Sequence, residues 1–283
     1  MPTLPKLTAP VDLGRRLAVF WLGALGAMGT RSAFAATEPR VLRALVESWP
    51  PYVYPGKGNE VRGLDAELLQ AICQQAGFKL VWVRTPQARR RRRFQELLDD
   101  RFDVVFSATP IARDIDSVQY TRPYRQEVMM VAAPAVHDAA LDELRSFEDV
   151  LDRRVRLLCP DVGGLGKEFE ASRAQLESAG LLVRYPTTRQ GIDMLRAERA
   201  QLIIGDSRDL QEQSRLLAFP LVQQPYGLSA EPVSLMLSRR RLNAADVEAI
   251  DQAIEELERR GVLRAIRDRY ALVPPGTVPA TPP

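Results

Sequence analysis

The chain has 283 residues, of which 46% are hydrophobic and 27% charged, so it can bury the core of one large domain or of two moderate ones. Lys and Arg number 39 against 36 Asp and Glu, but residues 1–35 hold four of the basic residues and one of the acidic residues. The remainder is therefore neutral, and its charge gives no general reason to bind nucleic acid or a membrane surface.

The amino terminus has the pattern of a secretory signal peptide. A pair of arginines precedes an apolar run over residues 17–28, and Ala33 and Ala35 are small residues placed as signal peptidase requires. The apolar run is shorter than the ~20 residues that a membrane-spanning helix needs. We therefore predict that residues 1–35 are removed on export and that the mature protein lies in the periplasm without stable membrane insertion.

The first part of the mature chain has the pattern of a β-α-β unit. Residues 42–46 and 80–83 are short apolar runs typical of strands. Between them, apolar residues recur every four positions over residues 64–76, which indicates a helix with one buried face. Gly77 can adopt positive φ where that helix ends. Two strands joined in this way normally pair in parallel with a right-handed crossover.

Polar side chains follow the next buried strand, which we predict at residues 104–106. Ser107 and Thr109 come directly after it, at its carboxyl end. Because open α/β sheets bind ligands at this edge, we expect one half of a binding cleft here. Trp49 and Tyr52 flank two prolines, whose fixed φ holds the loop after the first strand in place.

Strand–helix alternation restarts after Pro134. Predicted strands at residues 155–158, 181–183 and 202–206 alternate with helices, and a further strand and two helices complete the chain. This repetition predicts a second α/β lobe after the first.

Two features follow the predicted strands of the second lobe. Gly163 and Gly164 belong to a Gly-rich loop that opens a helix, and the free N–H groups at a helix start attract anions. Asp206 ends a buried strand and precedes a helix predicted at residues 207–216, which its carboxylate is suited to cap.

Signals of catalysis are few. The chain contains one histidine, His137, no Cys–His cluster with the spacing of metal ligands, and neither a Gly-x-Ser-x-Gly nor a phosphate-loop motif. We therefore predict no catalytic residue, no metal and no cofactor. The two cysteines, Cys73 and Cys159, fit buried apolar positions, so we predict free thiols in preference to a disulfide.

Five consecutive arginines occupy positions 89–93. They could form a patch for nucleic acid or another polyanion, or the solvated start of a helix that Glu96, Asp99 and Asp100 balance in charge. The neutral mature chain favours the second interpretation, and we predict no nucleic-acid partner. Because five successive positions cover every side of a helix, at least one arginine could point toward the cleft.

Four motifs occur in order along residues 41–272. They are Trp49-Pro50-Pro51-Tyr52 after the first strand, Gly63-Leu64-Asp65-Ala66-Glu67-Leu68 at a helix start, Asp103-Val104-Val105-Phe106-Ser107 leading to Pro123-Tyr124, and Leu257-Glu258-Arg259-Arg260-Gly261 leading to Arg269-Tyr270. Together they resemble the motifs of the family 3 periplasmic solute-binding proteins, the receptors for polar amino acids in ABC importers.

The resemblance implies an α/β fold of two lobes, joined by two hinge-crossing strands, that closes over one small ligand. With the element order above, it places the first lobe at residues 36–133 and 226–272, and the second at residues 134–225. The protein is expected to be a monomer. The proline-rich residues 273–283 are predicted to be a disordered tail.

The resemblance also implies roles for individual residues. Arg113 matches, with a shift of one residue, the arginine that holds the ligand carboxylate in a bidentate fork. Asp206 matches the aspartate that receives the α-ammonium group of the ligand. Gly163 and Gly164 match a Gly-Ser/Thr loop, although without its hydroxyl group, so that backbone N–H groups would serve there.

The first lobe supplies the remaining expected contacts. Trp49 is expected to stack over the ligand, whereas Tyr52 is expected to pack within its lobe. Ser107 and Thr109 belong to the polar loop that lines this side of the cleft.

We therefore expect a periplasmic receptor that binds a small zwitterion, an amino acid or a relative, and delivers it to an inner-membrane ABC permease. Two alternatives use the same scaffold, since a fold does not settle a function. One is a ligand-sensing protein, and the other is a periplasmic enzyme of the dehydratase type, with Asp206 or Glu47 as the general base. A third alternative is a polyanion-binding protein that uses residues 89–93. The absence of catalytic motifs favours the receptor over the enzyme.

Overall fold

The computed structural model describes residues 40–84, 92–110 and 116–270, all of which belong to one compact unit. The predicted signal peptide, three of the five consecutive arginines, Arg113 and the predicted tail lie outside the described residues. Within the described ranges, no helix is long and apolar enough to span a bilayer.

The described elements alternate between strands and helices in both halves of the chain. The strands are β1 (Arg40–Leu45), β2 (Tyr54–Pro55), β3 (Val61–Arg62), β4 (Phe78–Val83), β5 (Val104–Ala108), β6 (Val118–Tyr120), β7 (Arg125–Pro134), β8 (Leu157–Pro160), β9 (Leu182–Tyr185), β10 (Leu202–Asp206), β11 (Leu221–Gln223) and β12 (Ser229–Ser238). The α-helices are α1 (Leu64–Ala76), α2 (Arg93–Leu98), α3 (Phe147–Asp152), α4 (Lys167–Ser178), α5 (Thr188–Arg196), α6 (Ser207–Leu216), α7 (Ala244–Arg259) and α8 (Val262–Arg269).

Ten of these strands form one sheet with two parallel ends and an antiparallel middle. Its order is β4-β1-β5-β12-β7-β10-β8-β9, with β6 beside β12 and β11 beside β7. At one end β1 runs parallel to β4 and β5, which confirms the predicted parallel pairing, and at the other β8 runs parallel to β9 and β10. The long strands β7 and β12 are antiparallel to each other and lie between the two ends.

Each parallel end has its own hydrophobic core, so the molecule has the predicted two-lobed α/β architecture. The first core packs α1, α7 and α8 against the sheet around Leu42, Ile72 and Ile254. The second surrounds β8 and β10, with Leu157 and Leu202 on one face and Ile203 on the other.

The strands β7 and β12 are the two hinge-crossing strands. At the start of β7, the side chain of Arg125 binds Asp65 of the first lobe, whereas Met129, Val131 and Ala133 pack in the core of the second lobe. Along β7, the side chains therefore contact the first lobe at Arg125 and the core of the second lobe from Met129 onward. The lobe boundaries at residues 133/134 and 225/226 stay a prediction.

Helix ends follow the signals in the sequence. Gly77 has φ 76° at the end of α1, and Asn243 caps α7 in a capping box with Asp246. The structure also shows Cys73 and Cys159 as buried free thiols, as predicted.

Candidate functional site

The aromatic loop, which we define as residues 49–52, is fixed against the start of α1. The carbonyl oxygen of Tyr52 accepts a hydrogen bond of 2.9 Å from the amide of Asp65, one of the N–H groups that a helix start leaves unpaired. Gly63 precedes the helix with φ 119°, and a Cβ atom there would overlap the same carbonyl oxygen. The glycine therefore lets the loop approach the helix and orients the two aromatic side chains.

Both aromatic side chains of the loop reach the second lobe. The hydroxyl of Tyr52 donates to Oδ1 of Asp206 at 2.7 Å, and Nε1 of Trp49 donates to Oδ2 of Asp209 at 2.9 Å. Thr188 donates to the same oxygen of Asp209 at 2.5 Å. Two side chains from the first lobe thus bind the acidic start of α6 in the second.

Asp206 has the predicted position at the end of β10 and caps α6. Its Oδ1 accepts from the amide of Asp209 at 2.9 Å, as the cap prediction requires. Its Oδ2 is buried and has no hydrogen-bond partner among the residues that the structure describes. Burial, with a second contribution from the charge of Glu127, raises the pKa of the Asp206 carboxyl to about 7.

A buried ion pair supports the first-lobe side of the site. Nε and Nη2 of Arg125 bind the two carboxylate oxygens of Asp65 at 2.7 and 3.0 Å, and the two side chains are 1% and 0% exposed. Nη2 also donates to Oγ of Ser107 at 2.5 Å, and Ser107 in turn donates to Glu127 at 3.1 Å. Asp65 therefore neutralises Arg125, and Ser107 links this pair to Glu127.

One of the five consecutive arginines packs beside the aromatic loop. Nη1 of Arg93 donates to Glu47 at 3.0 Å, and its guanidinium group lies 5.8 Å from the centre of the Trp49 ring. Glu47, the alternative candidate for a general base, is therefore held in an ion pair.

A small cavity of about 50 Å³ lies where these contacts meet. Three predicted site residues, Gly163, Gly164 and Asp206, line it together. Trp49 joins them through Asp209, and Ser107 joins them through Glu127, since both acidic residues line the cavity. Thr109 is exposed beyond the end of β5 and does not belong to the described lining, and Arg113 lies outside the described residues.

Sequence reasoning missed four residues of this arrangement: Asp65, Arg125, Glu127 and Asp209. Asp65 lies within one of the family motifs and Arg125 directly follows another, and these positions could have indicated both residues. Glu127 and Asp209 belong to no motif, and only the pairing of β7 with β10 and the first turn of α6 bring them to the cavity.

The sequence itself assigns the family. Residues 42–273 match the model of the bacterial extracellular solute-binding proteins, family 3. The chain belongs to this family. Among curated proteins, none has a sequence that matches this chain.

Solved structures with this fold include members with different roles. A histidine kinase sensor domain with similarity to periplasmic binding proteins has a TM-score of 0.65 at 17% identity, over 82% of this chain and 95% of that one. The substrate-binding protein of an amino acid ABC transporter has a TM-score of 0.61 at 16% identity, over 82% and 98%. An ancestral amino acid-binding protein, a precursor of cyclohexadienyl dehydratase, has a TM-score of 0.60 at 18% identity, over 81% and 94%. At these identities the similarity shows the two-lobed fold alone.

Proposed function

We propose that this family 3 protein is a periplasmic receptor that binds a small zwitterion, an amino acid or a relative, between its lobes. The observation that carries the proposal is Oδ2 of Asp206, which is buried beside the cavity and has no partner among the described residues. A ligand ammonium group would donate to it, and a buried carboxylate gains most from a charged donor.

Ligand entry would require the lobes to separate. The cavity of about 50 Å³ is well below the ~300 Å³ at the small end of ligand pockets. Tyr52 and Trp49 also donate directly to the carboxylates that a ligand would use. Bending within β7 and β12 would open the cleft, and closure would place the aromatic loop over the ligand. Arg113 remains the proposed partner of the ligand carboxylate.

The partner that we propose is an inner-membrane ABC permease, which receives the ligand from the closed form. A family 3 solute-binding protein with two lobes and a ligand cleft fits this role, and the ABC-transporter neighbour has the same fold. A membrane-bound sensor is the alternative partner, because a sensor domain shares that fold as well.

Binding of amino acids to Asp206→Asn tests the proposal. Asparagine caps a helix as well as aspartate, so the variant should fold, but it loses the negative charge. In a thermal-shift panel of the common amino acids, at least one amino acid should raise the melting temperature of the wild type. The affinity of that ligand should fall about ten- to hundredfold in the variant, since a charge-assisted hydrogen bond is lost.

The surface variant Asp193→Asn is the matched control for this experiment and should bind as the wild type does. Asp193 is exposed on α5, where it pairs with Arg196. If no amino acid or related zwitterion raises the melting temperature, the receptor proposal fails.

One observation favours an enzyme as the second candidate. A carboxyl with a pKa of about 7 can both give and take a proton near neutral pH, and Asp206 has Glu127 as an acidic neighbour. One structural neighbour is a precursor of a dehydratase. Incubation with organic acids, followed by NMR, separates the two candidates, because an enzyme consumes its ligand and a receptor returns it unchanged.

A further inference from the structure

The cavity has an acidic wall. Four carboxylate side chains line it, and no lysine or arginine belongs to the described lining. The four come from three elements and one loop: Glu127 from β7, Asp161 from the loop after β8, Asp206 from the end of β10 and Asp209 from α6.

Two of these carboxylates face the same side of the sheet. Asp206 lies directly opposite Met129 in the antiparallel pairing of β10 with β7. Residues two apart in a strand share a face, so Glu127 lies on the same face as Met129 and is the diagonal neighbour of Asp206. Diagonal neighbours in a sheet lie roughly 7–8 Å apart. The effect of the Glu127 charge on the pKa of Asp206 agrees with this placement.

Among the described residues, Arg125 is a cation that acts on Asp206, but it does not balance both charges. Nε and Nη2 of Arg125 donate to Asp65, and Nη2 also donates to Ser107. Nη1 donates to the carbonyl oxygen of Gln126 at 3.3 Å. The charge of Arg125 lowers the pKa of Asp206, but by less than burial and the charge of Glu127 raise it, and Asp65 shares the same guanidinium group. The negative charges of Glu127 and Asp206 therefore exceed the positive charge of the described residues around them.

An excess of negative charge beside a buried carboxylate is costly unless a cation compensates it. Asp206 is only 8% exposed, and its Oδ2 has no partner in the described part of the chain. Glu127 is half-buried and receives a neutral hydroxyl from Ser107. Both carboxylates border the same cavity, so a bound molecule can compensate both.

We propose that the ligand carries two cationic groups on a short chain, and that Glu127 binds the second group while Asp206 binds the first. This inference rests on the proposed function for the location of the site and adds the charge of the ligand. Basic amino acids and diamines share the required chemistry, and they differ in the carboxylate that only the amino acids carry. Glu127 is then the residue that selects the ligand charge.

Isothermal titration calorimetry with matched ligands tests the inference in the wild type. Lysine and norleucine differ in one terminal amine, and putrescine supplies two amines without a carboxylate. We expect lysine, or ornithine or arginine, to bind at least tenfold more tightly than norleucine or glutamine. If putrescine binds and no amino acid does, the result also supports two cationic subsites. It then contradicts the proposed function, in which the ligand is a zwitterion. Equal affinities for lysine and norleucine would overturn the inference and leave the proposed function intact.

The variant Glu127→Gln tests the residue itself. Glutamine keeps an acceptor for Ser107 and removes the charge, so the melting temperature without ligand should not fall. The preference for lysine over norleucine should shrink about tenfold or more, while norleucine binds no more weakly than before. A preference that survives in Glu127→Gln overturns the role of Glu127. If the wild type binds neither an amino acid nor a diamine, both the inference and the proposed function fail.

Discussion

The two lobes bring opposite kinds of chemistry to the cleft. Beside the aromatic loop of the first lobe, four charged side chains form two ion pairs: Arg125 with Asp65, and Arg93 with Glu47. What this side presents across the cleft is two neutral donors, the Tyr52 hydroxyl and the Trp49 indole. On the second-lobe side, Asp206 keeps a buried oxygen without a partner among the described residues.

This difference assigns different tasks to the lobes. A buried ion pair that is fully bonded holds its surroundings in one geometry, but has no capacity left for a ligand. A buried carboxylate oxygen that lacks a donor has that capacity. Under the proposed function, the aromatic loop and its ion pairs would serve as a preformed cover, and Asp206 of the second lobe would provide the charge that the first cationic group binds.

Breaking the pair in the first lobe should have the largest effect. In Asp65→Asn, Arg125 stays buried without its counter-charge, and such a loss costs about 3–5 kcal/mol in the free energy of unfolding. Urea denaturation at pH 7 measures this change. The control Asp193→Asn should remain within about 0.5 kcal/mol of the wild type. A loss below about 1 kcal/mol in Asp65→Asn would show that the pair does not hold the first lobe.

Removing the charge at Asp206 should alter how stability depends on pH. The pKa of its carboxyl is about 7 in the folded protein and ~3.9 in an unfolded chain, so between these values only the folded state holds the proton. The wild type therefore loses this contribution to stability as the pH rises from about 4 to 7. Around Asp206 lie the charged or titratable side chains of Tyr52, Arg125, Glu127 and Asp209.

Asp206→Asn lacks this titration. We compare the free energies of unfolding of the variant and the wild type without ligand. The difference, variant minus wild type, should increase by up to about 1.4 kcal/mol per pH unit between pH 4 and 7. Above pH 7 this difference should stay constant. Denaturation series at several pH values provide the comparison. Parallel profiles for the two proteins would mean that Asp206 titrates normally and that its site is not short of positive charge.

The contact between the lobes should give the smallest change. Tyr52→Phe removes the hydroxyl that donates to Asp206, which should cost about 1–2 kcal/mol in stability at pH 8. The matched control is Tyr226→Phe, because the Tyr226 hydroxyl is buried without a hydrogen-bond partner in the described ranges, and its removal should be close to neutral. If the two variants are equally stable, the bond between Tyr52 and Asp206 does not hold the lobes together.

Much of the fold could be predicted because local patterns determine it. The apolar repeat that ends at Gly77 gives α1 its bounds, and the buried run that ends at Asp206 gives β10 its bounds. Asp206 was also predicted as a site residue, because its position at the end of a second-lobe strand matches the family's aspartate. Weaker patterns were less accurate: β8 begins at Leu157, two residues after the predicted start.

The charge pairing could not be predicted, because it depends on residues that are distant in sequence. Arg125 and Asp65 are 60 residues apart, and Tyr52 and Asp206 are 154 apart. Nothing in the local sequence distinguishes Glu127, which faces the cavity, from an ordinary exposed acid on a strand. The partners of Ser107 were equally out of reach, because only the fold brings its hydroxyl between Arg125 and Glu127.

The most direct test of the central claim is the affinity of lysine for the wild type and for Asp206→Asn, measured by calorimetry at pH 8. At this pH the carboxyl of Asp206 is mainly ionised, since its pKa is about 7. The account predicts binding to the wild type and at least tenfold weaker binding to a variant that is equally well folded. Equal affinities would contradict the claim that the second lobe holds the ligand through this carboxylate.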